Sequence, residues 1–244
     1  MGTRWSASLE VGWHPILTFE RRRTQFLDWA EENVDYTGFA DRDSDFVGLQ
    51  LGGGARIEVS RSSLRAHVRY PAANFDVLRD TIDGAMKIFS PQHPRLLLVK
   101  SQWSSGINAE YKRACRTLAQ RSLAAPELNG AIPADTSILV DVLTSRAQIQ
   151  VEYGVVERAE LVDRLTKPAM SRVEGLGHGL RRALQQAEVD EVSLYYGVSW
   201  VASEDLAVVD WTGILSESAS GLNECGHLVG AISSHLMHEL EEQA

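Results

Sequence analysis

The chain has 244 residues, of which 44% are hydrophobic and 23% charged, and only two are cysteines. Such a composition excludes a disordered tail, a fibrous repeat and a small disulfide-framed domain, and the length suffices to bury a core without a metal or disulfide staple. The net charge of −9 hides a split: residues 1–122 carry 17 Lys/Arg against 14 Asp/Glu, and residues 123–244 carry 7 against 19.

The acidic second half opposes general nucleic-acid binding, because phosphate contacts need clustered Lys and Arg. A local basic patch in the first half stays open, and the asymmetry would let the basic and acidic faces of two copies meet. No window approaches the roughly 18 apolar residues of a membrane span. The opening MGTRWSASLEVGWHP has no apolar run fit for a signal peptide. Together with the two unpaired-looking cysteines, Cys115 and Cys225, this predicts a cytoplasmic chain.

In chain order, Ala7, Leu9, Val11 and Trp13 alternate with Ser8, Glu10 and Gly12 as in a half-buried strand. Phe26, Leu27, Trp29 and Ala30 predict an amphipathic helix over 22–33, and the acidic loop with Asp35, Asp41, Asp43 and Asp45 follows. Two strands from Phe46 to Val59, joined by Gly52-Gly53-Gly54, and a third from Ser63 to Tyr70 read as an antiparallel meander. Asn74 is placed to cap a helix burying Phe75, Leu78, Ile82, Ala85, Met86 and Phe89. The run Leu96-Leu97-Leu98-Val99 predicts an interior strand covered on both faces. A helix after Asn108 buries Tyr111, Ala114, Cys115, Leu118 and Ala119.

The Pro/Gly-containing stretch 125–134 is the candidate boundary between an N-terminal half, 1–124, and a C-terminal half, 135–244. The second half predicts a hairpin at 137–144 and 147–155. A helical region over 157–186 follows, interrupted at Lys167-Pro168 and near Gly175, Gly177 and Gly179. Strands at 192–201 and 206–211 and a long terminal helix over about 216–242 complete it. The expected class is α+β: two related halves, each of mostly antiparallel sheet covered by helices, possibly one continuous domain. Strict βα alternation is missing, which excludes a Rossmann or barrel fold.

Chemistry-bearing patterns are sparse. His235 and His238 on the terminal helix lie three apart, not four, and Glu239 follows the second; the set suits a solvated helix face better than a zinc site, so no metal is expected. Asp41-Arg42-Asp43-Ser44-Asp45 opens like a calcium loop, but Phe46 stands where that loop needs Gly. Gly175-Leu176-Gly177-His178-Gly179 lacks a preceding strand and a Walker lysine, and reads as a helix break. Cys115 sits on an apolar helix stripe as a buried thiol. Tyr195, Tyr196, Trp200 and Trp211 read as core and edge aromatics. The most informative polar surface is Arg65, His67 and Arg69, which alternation puts on one sheet face, extended by Arg56 on the neighbouring strand. These four form the candidate binding strip for an anionic ligand or acidic partner, with Glu58 placed to pair with Arg56.

The layout Leu49-Gln50-Leu51, Arg56-Ile57-Glu58-Val59, Arg69-Tyr70-Pro71, Phe75, Phe89 and Pro94-Arg95-Leu96, continued by Leu206, Asp210, Leu222 and His238-Glu239-Leu240, resembles a sporadically distributed family of uncharacterised bacterial proteins. The resemblance implies a bacterial origin and an accessory or defence role, and carries no activity. The reading is therefore of a non-enzymatic, cytoplasmic protein-binding or assembly protein that self-associates, with no cofactor, no membrane partner and nucleic acid disfavoured. The alternatives are an enzyme for an anionic small molecule, and a nucleic-acid module using the basic first half.

Overall fold

The computed structural model describes residues 2–40, 45–70, 74–123, 136–166, 189–203 and 213–242. The readings at 41–44, at the 125–134 boundary, at 167–186 with its glycine motif, and at 206–211 lie outside these residues.

In chain order the described elements are β1 (Thr3–Gly12), α1 (Phe19–Asn33), β2 (Tyr36–Ala40), β3 (Phe46–Leu51), β4 (Arg56–Ser60), β5 (Ser63–Arg69) and α2 (Arg79–Phe89). Then come β6 (Leu96–Gly106), α3 (Tyr111–Leu123), β7 (Ser137–Leu143), β8 (Ala147–Glu157), α4 (Arg158–Thr166), β9 (Val192–Ala202) and α5 (Ile214–Glu242). The class is α+β, as the sequence predicts. All nine strands join one sheet in the order β2-β3-β4-β5-β1-β6-β9-β8-β7, and every neighbouring pair is antiparallel. The sheet is continuous through both halves of the sequence, because β6 from the first pairs along its length with β9 from the second.

Alternation sorts the side chains onto two unequal faces. One face carries Leu9, Val47, Ile57, Leu64, Leu97, Val99, Trp200 and Val151, and with Phe26 of α1, Ile82 of α2, Leu118 of α3 and Leu222 of α5 it forms the main core. Within this core Trp200 is fully buried. It stands beside Val99 and Ile149 in register and donates its indole N–H to Glu224 Oε2 at 2.9 Å. Gly221 of α5 lies directly on that ring, where an added Cβ would meet Cδ2 at 2.8 Å. Alanine normally favours a helix over glycine by about 1 kcal/mol. At this position the clash outweighs that gain, so Gly221→Ala is expected to lower stability by about 1–2 kcal/mol in denaturant titrations. A gain in stability would mean that α5 does not sit this close to β9.

The opposite face has a small apolar cluster at one end, where Trp5, Val156, Tyr195 and Val189 meet Leu161 and Leu165 of α4. Trp5 reaches it through a bulge: the β1–β6 register runs Arg4↔Trp103 and then Ser6↔Gln102, leaving Trp5 as the extra residue. Period-two counting would have put Trp5 with Ala7 on the core side, and the bulge reverses it. Its indole N–H donates to Ser104 Oγ at 2.7 Å.

The loops obey local chemistry. Gly53 and Gly54 take φ of 70° and 78°, the left-handed region that makes the β3–β4 turn tight. The β7–β8 turn is closed by Thr144 Oγ1, which accepts from the backbone N–H of Arg146 and Ala147. Arg22 of α1 donates to the Phe89 and Ser90 carbonyls at the end of α2, satisfying groups that a helix C-terminus leaves open. No helix among the described residues is long and apolar enough to cross a membrane.

The run Leu96–Val99 does occupy a central strand, but only one face is covered. Leu97 and Val99 are fully buried, Leu98 is half-buried and Lys100 is exposed. Antiparallel sheets can leave one face to solvent, whereas the sequence run suggested a strand enclosed on both.

Candidate functional site on the polar sheet face

Pairing of strands distant in sequence assembles the polar face row by row. One row, read across the sheet, is Gln50, Arg56, His67, Ser8, Lys100, Ser199, Gln150 and Asp141. The adjoining row is Arg69, Ser6, Gln102, Gly197, Glu152 and Leu139. These rows frame a cavity of about 240 Å³ lined by His67, Ser8, Lys100, Gln102, Glu152 and Leu139, among others. It therefore runs from the strip read in the sequence to the sheet's edge strand β7.

The four strip residues share this face but have different surroundings. Arg65 is largely exposed and pairs with Glu10 of β1 at 2.9 Å. Arg56 is paired with Glu58, as the sequence suggested. Arg69 is only 7% exposed, its stem lies against Gly54, and its Nε donates to His67 Nε2 at 3.1 Å. His67 is thus held as the neutral tautomer with its proton on Nδ1. Burial, reinforced by the Arg69 and Arg56 charges, lowers its pKa to about 4. Burial and the neighbouring Arg56 also lower the pKa of Arg69. Among the described residues no carboxylate lies within ion-pair distance of Arg69 or Lys100.

The other end of the cavity is a polar network. Ser6 donates to Gln102 Oε1 at 2.7 Å, and Gln102 Nε2 donates to the Tyr195 hydroxyl at 3.1 Å. Arg164 of α4 lies 5.1 Å over the Tyr195 ring and pairs with Glu152 at 2.9 Å and Glu160 at 2.8 Å. Burial raises the Tyr195 pKa, keeping its phenol protonated at neutral pH. Sequence reading missed Lys100, Gln102, Ser8 and Tyr195. Alternation within each strand could have put Ser8 and Lys100 on polar faces, but only strand order brings them beside His67.

At the far end lies β7. Its seven residues pair without interruption with β8 on one side, and no described strand borders the other side. Leu143 is 79% exposed, Leu139 60% and Val140 37%; the one charge, Asp141, accepts a hydrogen bond from Gln150 at 3.1 Å. The opposite edge strand, β2, is only five residues long and carries a register irregularity between Tyr36 and Gly38. Short, bulged edges resist pairing, whereas long, flat, apolar ones invite it.

The remaining candidates fall elsewhere. His235 and His238 are both exposed on α5, and no group of three or more His, Cys, Asp or Glu fit to hold a metal occurs among the described residues. Cys115 is buried, as predicted, and Cys225 is buried as well, its thiol pushed up to about 12 chiefly by burial, so neither resembles an activated nucleophile. No protein-family model matches the chain, and no curated protein or solved structure matches it significantly.

Proposed function

We propose that the protein is a non-enzymatic binding and assembly protein whose β7 edge accepts a strand from a second copy. The observation carrying this reading is the β7 edge, which no strand borders among the described residues: an uninterrupted seven-residue strand with Ile138, Val140 and Val142 on one face and Leu139 and Leu143 on the other, without the lysine, proline or bulge that usually guards such an edge. A two-fold axis at Val140 sets Val140 against itself, Ile138 against Val142 and Leu139 against Asp141. The apolar side of the sheet then continues into the partner's. An axis at Asp141 would instead oppose two carboxylates, which disfavours that register. The nucleic-acid alternative gains less support, because the pairing of Arg56 and Arg65 with Glu58 and Glu10 withdraws two of the four basic groups from phosphate contacts.

Native mass spectrometry and light scattering at tens of micromolar test the reading. The parent is expected to be a dimer, and Val140→Lys a folded monomer with the parent's circular dichroism spectrum, less stable than the parent only by what association supplies at that concentration. A parent that is monomeric at this concentration, or a Val140→Lys dimer, overturns assembly through β7.

A further inference from the structure

We propose that the cavity over β5, β1, β6 and β9 binds a small phosphate-bearing molecule, with Lys100, Ser8 and His67 as the contacting groups and Arg69 as a positioning residue behind His67.

Charge bookkeeping on this face leaves a surplus of positive groups. Glu10, Glu58 and Glu152 are each engaged by an arginine, while Lys100 and Arg69 have no carboxylate within ion-pair distance among the described residues. Lys100 stands at the middle of the sheet on its uncovered face, with its side chain exposed. Here its row neighbours are Ser8 and Ser199, and Gly197 lies on the adjoining row. These small residues keep the cavity floor low and leave the ammonium room above it.

The donors converge from two strands. In register, Lys100 and His67 flank Ser8 on opposite sides, so their backbones stand about two strand spacings, roughly 10 Å, apart. A tetrahedral phosphate hydrogen-bonded on both sides spans that gap and has oxygens left for the Ser8 hydroxyl beneath; a single planar carboxylate has only two. Because Arg69 occupies Nε2 of His67, the imidazole offers its Nδ1–H and acts as a neutral donor. The Arg69 guanidinium adds positive potential from behind the imidazole. A volume of about 240 Å³ falls below the range typical of drug-sized ligands and selects a small one.

The test is isothermal titration of the full chain at neutral pH with inorganic phosphate, glycerol phosphate and citrate, against chloride at matched ionic strength. Saturable heat is expected with both phosphates and not with chloride. Lys100→Gln, a change at an exposed side chain that should leave the fold intact, is expected to weaken phosphate at least about tenfold, the loss of one charge-assisted hydrogen bond. Ser8→Ala weakens it less. Phosphate is also expected to raise the midpoint of the His67 titration above about 4 in NMR, a readout that a merely structural arginine cluster would not move. Absence of saturable binding, equal response to chloride, tighter binding of citrate, or unchanged affinity in Lys100→Gln each overturns the proposal. None of these depends on whether β7 pairs.

Discussion

Trp200→Ala is expected to lower the unfolding free energy by about 3–5 kcal/mol, the usual range for emptying a buried aromatic site. The reasons are local and additive in direction. The ring is fully buried in the main core. It bridges β6 and β8 in register through Val99 and Ile149, and it is the surface on which Gly221 lets α5 come close. Removing it leaves a void that neither the sheet nor a helix seated on a glycine can refill, and it leaves the Glu224 carboxylate without its indole donor. For a chain of this size such a loss corresponds to a melting-temperature drop on the order of 10 °C. Guanidinium titrations of the parent and the variant measure it. A difference under about 1 kcal/mol would mean that α5 contributes little to the fold through this contact.

Acid is expected to destabilise the protein partly through one imidazole. The folded-state pKa of His67 is lowered to about 4 from the ordinary imidazole value of 6.5. Above about pH 6.5 it is neutral whether folded or unfolded, and its titration contributes nothing to stability. Between about 6.5 and 4 the unfolded chain takes up the proton and the folded chain refuses it, so stability falls as pH falls. Below about 4 both states are protonated and the loss levels off at about 3 kcal/mol. Burial sets most of this shift, reinforced by the charges of Arg69 on the same strand and Arg56 on the next; Ser8, from β1, is neutral. His67→Gln keeps an acceptor for Arg69 and cannot titrate. Relative to that variant, the parent is expected to lose roughly 2–3 kcal/mol between about pH 7.5 and about pH 4.5. Parallel stability curves for the two proteins would show that His67 ionises freely in the fold.

Much of the architecture is legible from short-range pattern. The alternation in Ala7-Leu9-Val11, the glycine turn before Arg56 and the stripe Ile82-Ala85-Phe89 on α2 each depend on neighbours within a few residues, and the structure has these elements where the pattern puts them. The same holds for the shared face of Arg65, His67 and Arg69. What those arginines do was not legible, because it is decided by strands far away: Glu10, 55 residues from Arg65, turns that arginine into half of an ion pair. Lys100 was hidden for a related reason. Four apolar residues precede it, so the strand reads as wholly interior, and only the order β5-β1-β6-β9 shows that its polar side looks outward between two serines. Trp5 lies just before the alternation read in the sequence, and a bulge in β1 sets its face without leaving any mark in its hydrophobicity.

The seam between β6 and β9 also has a consequence in time. A ribosome that has delivered Gly106 must add the intervening residues before Val192 begins the partner strand, an interval on the order of 10 s at ordinary elongation rates. Throughout that wait the nascent chain holds β6, with Leu97, Val99 and Trp103, as an unpaired margin of a half-built sheet. The newborn protein is thus most open to wrong partners while β9 is still being made.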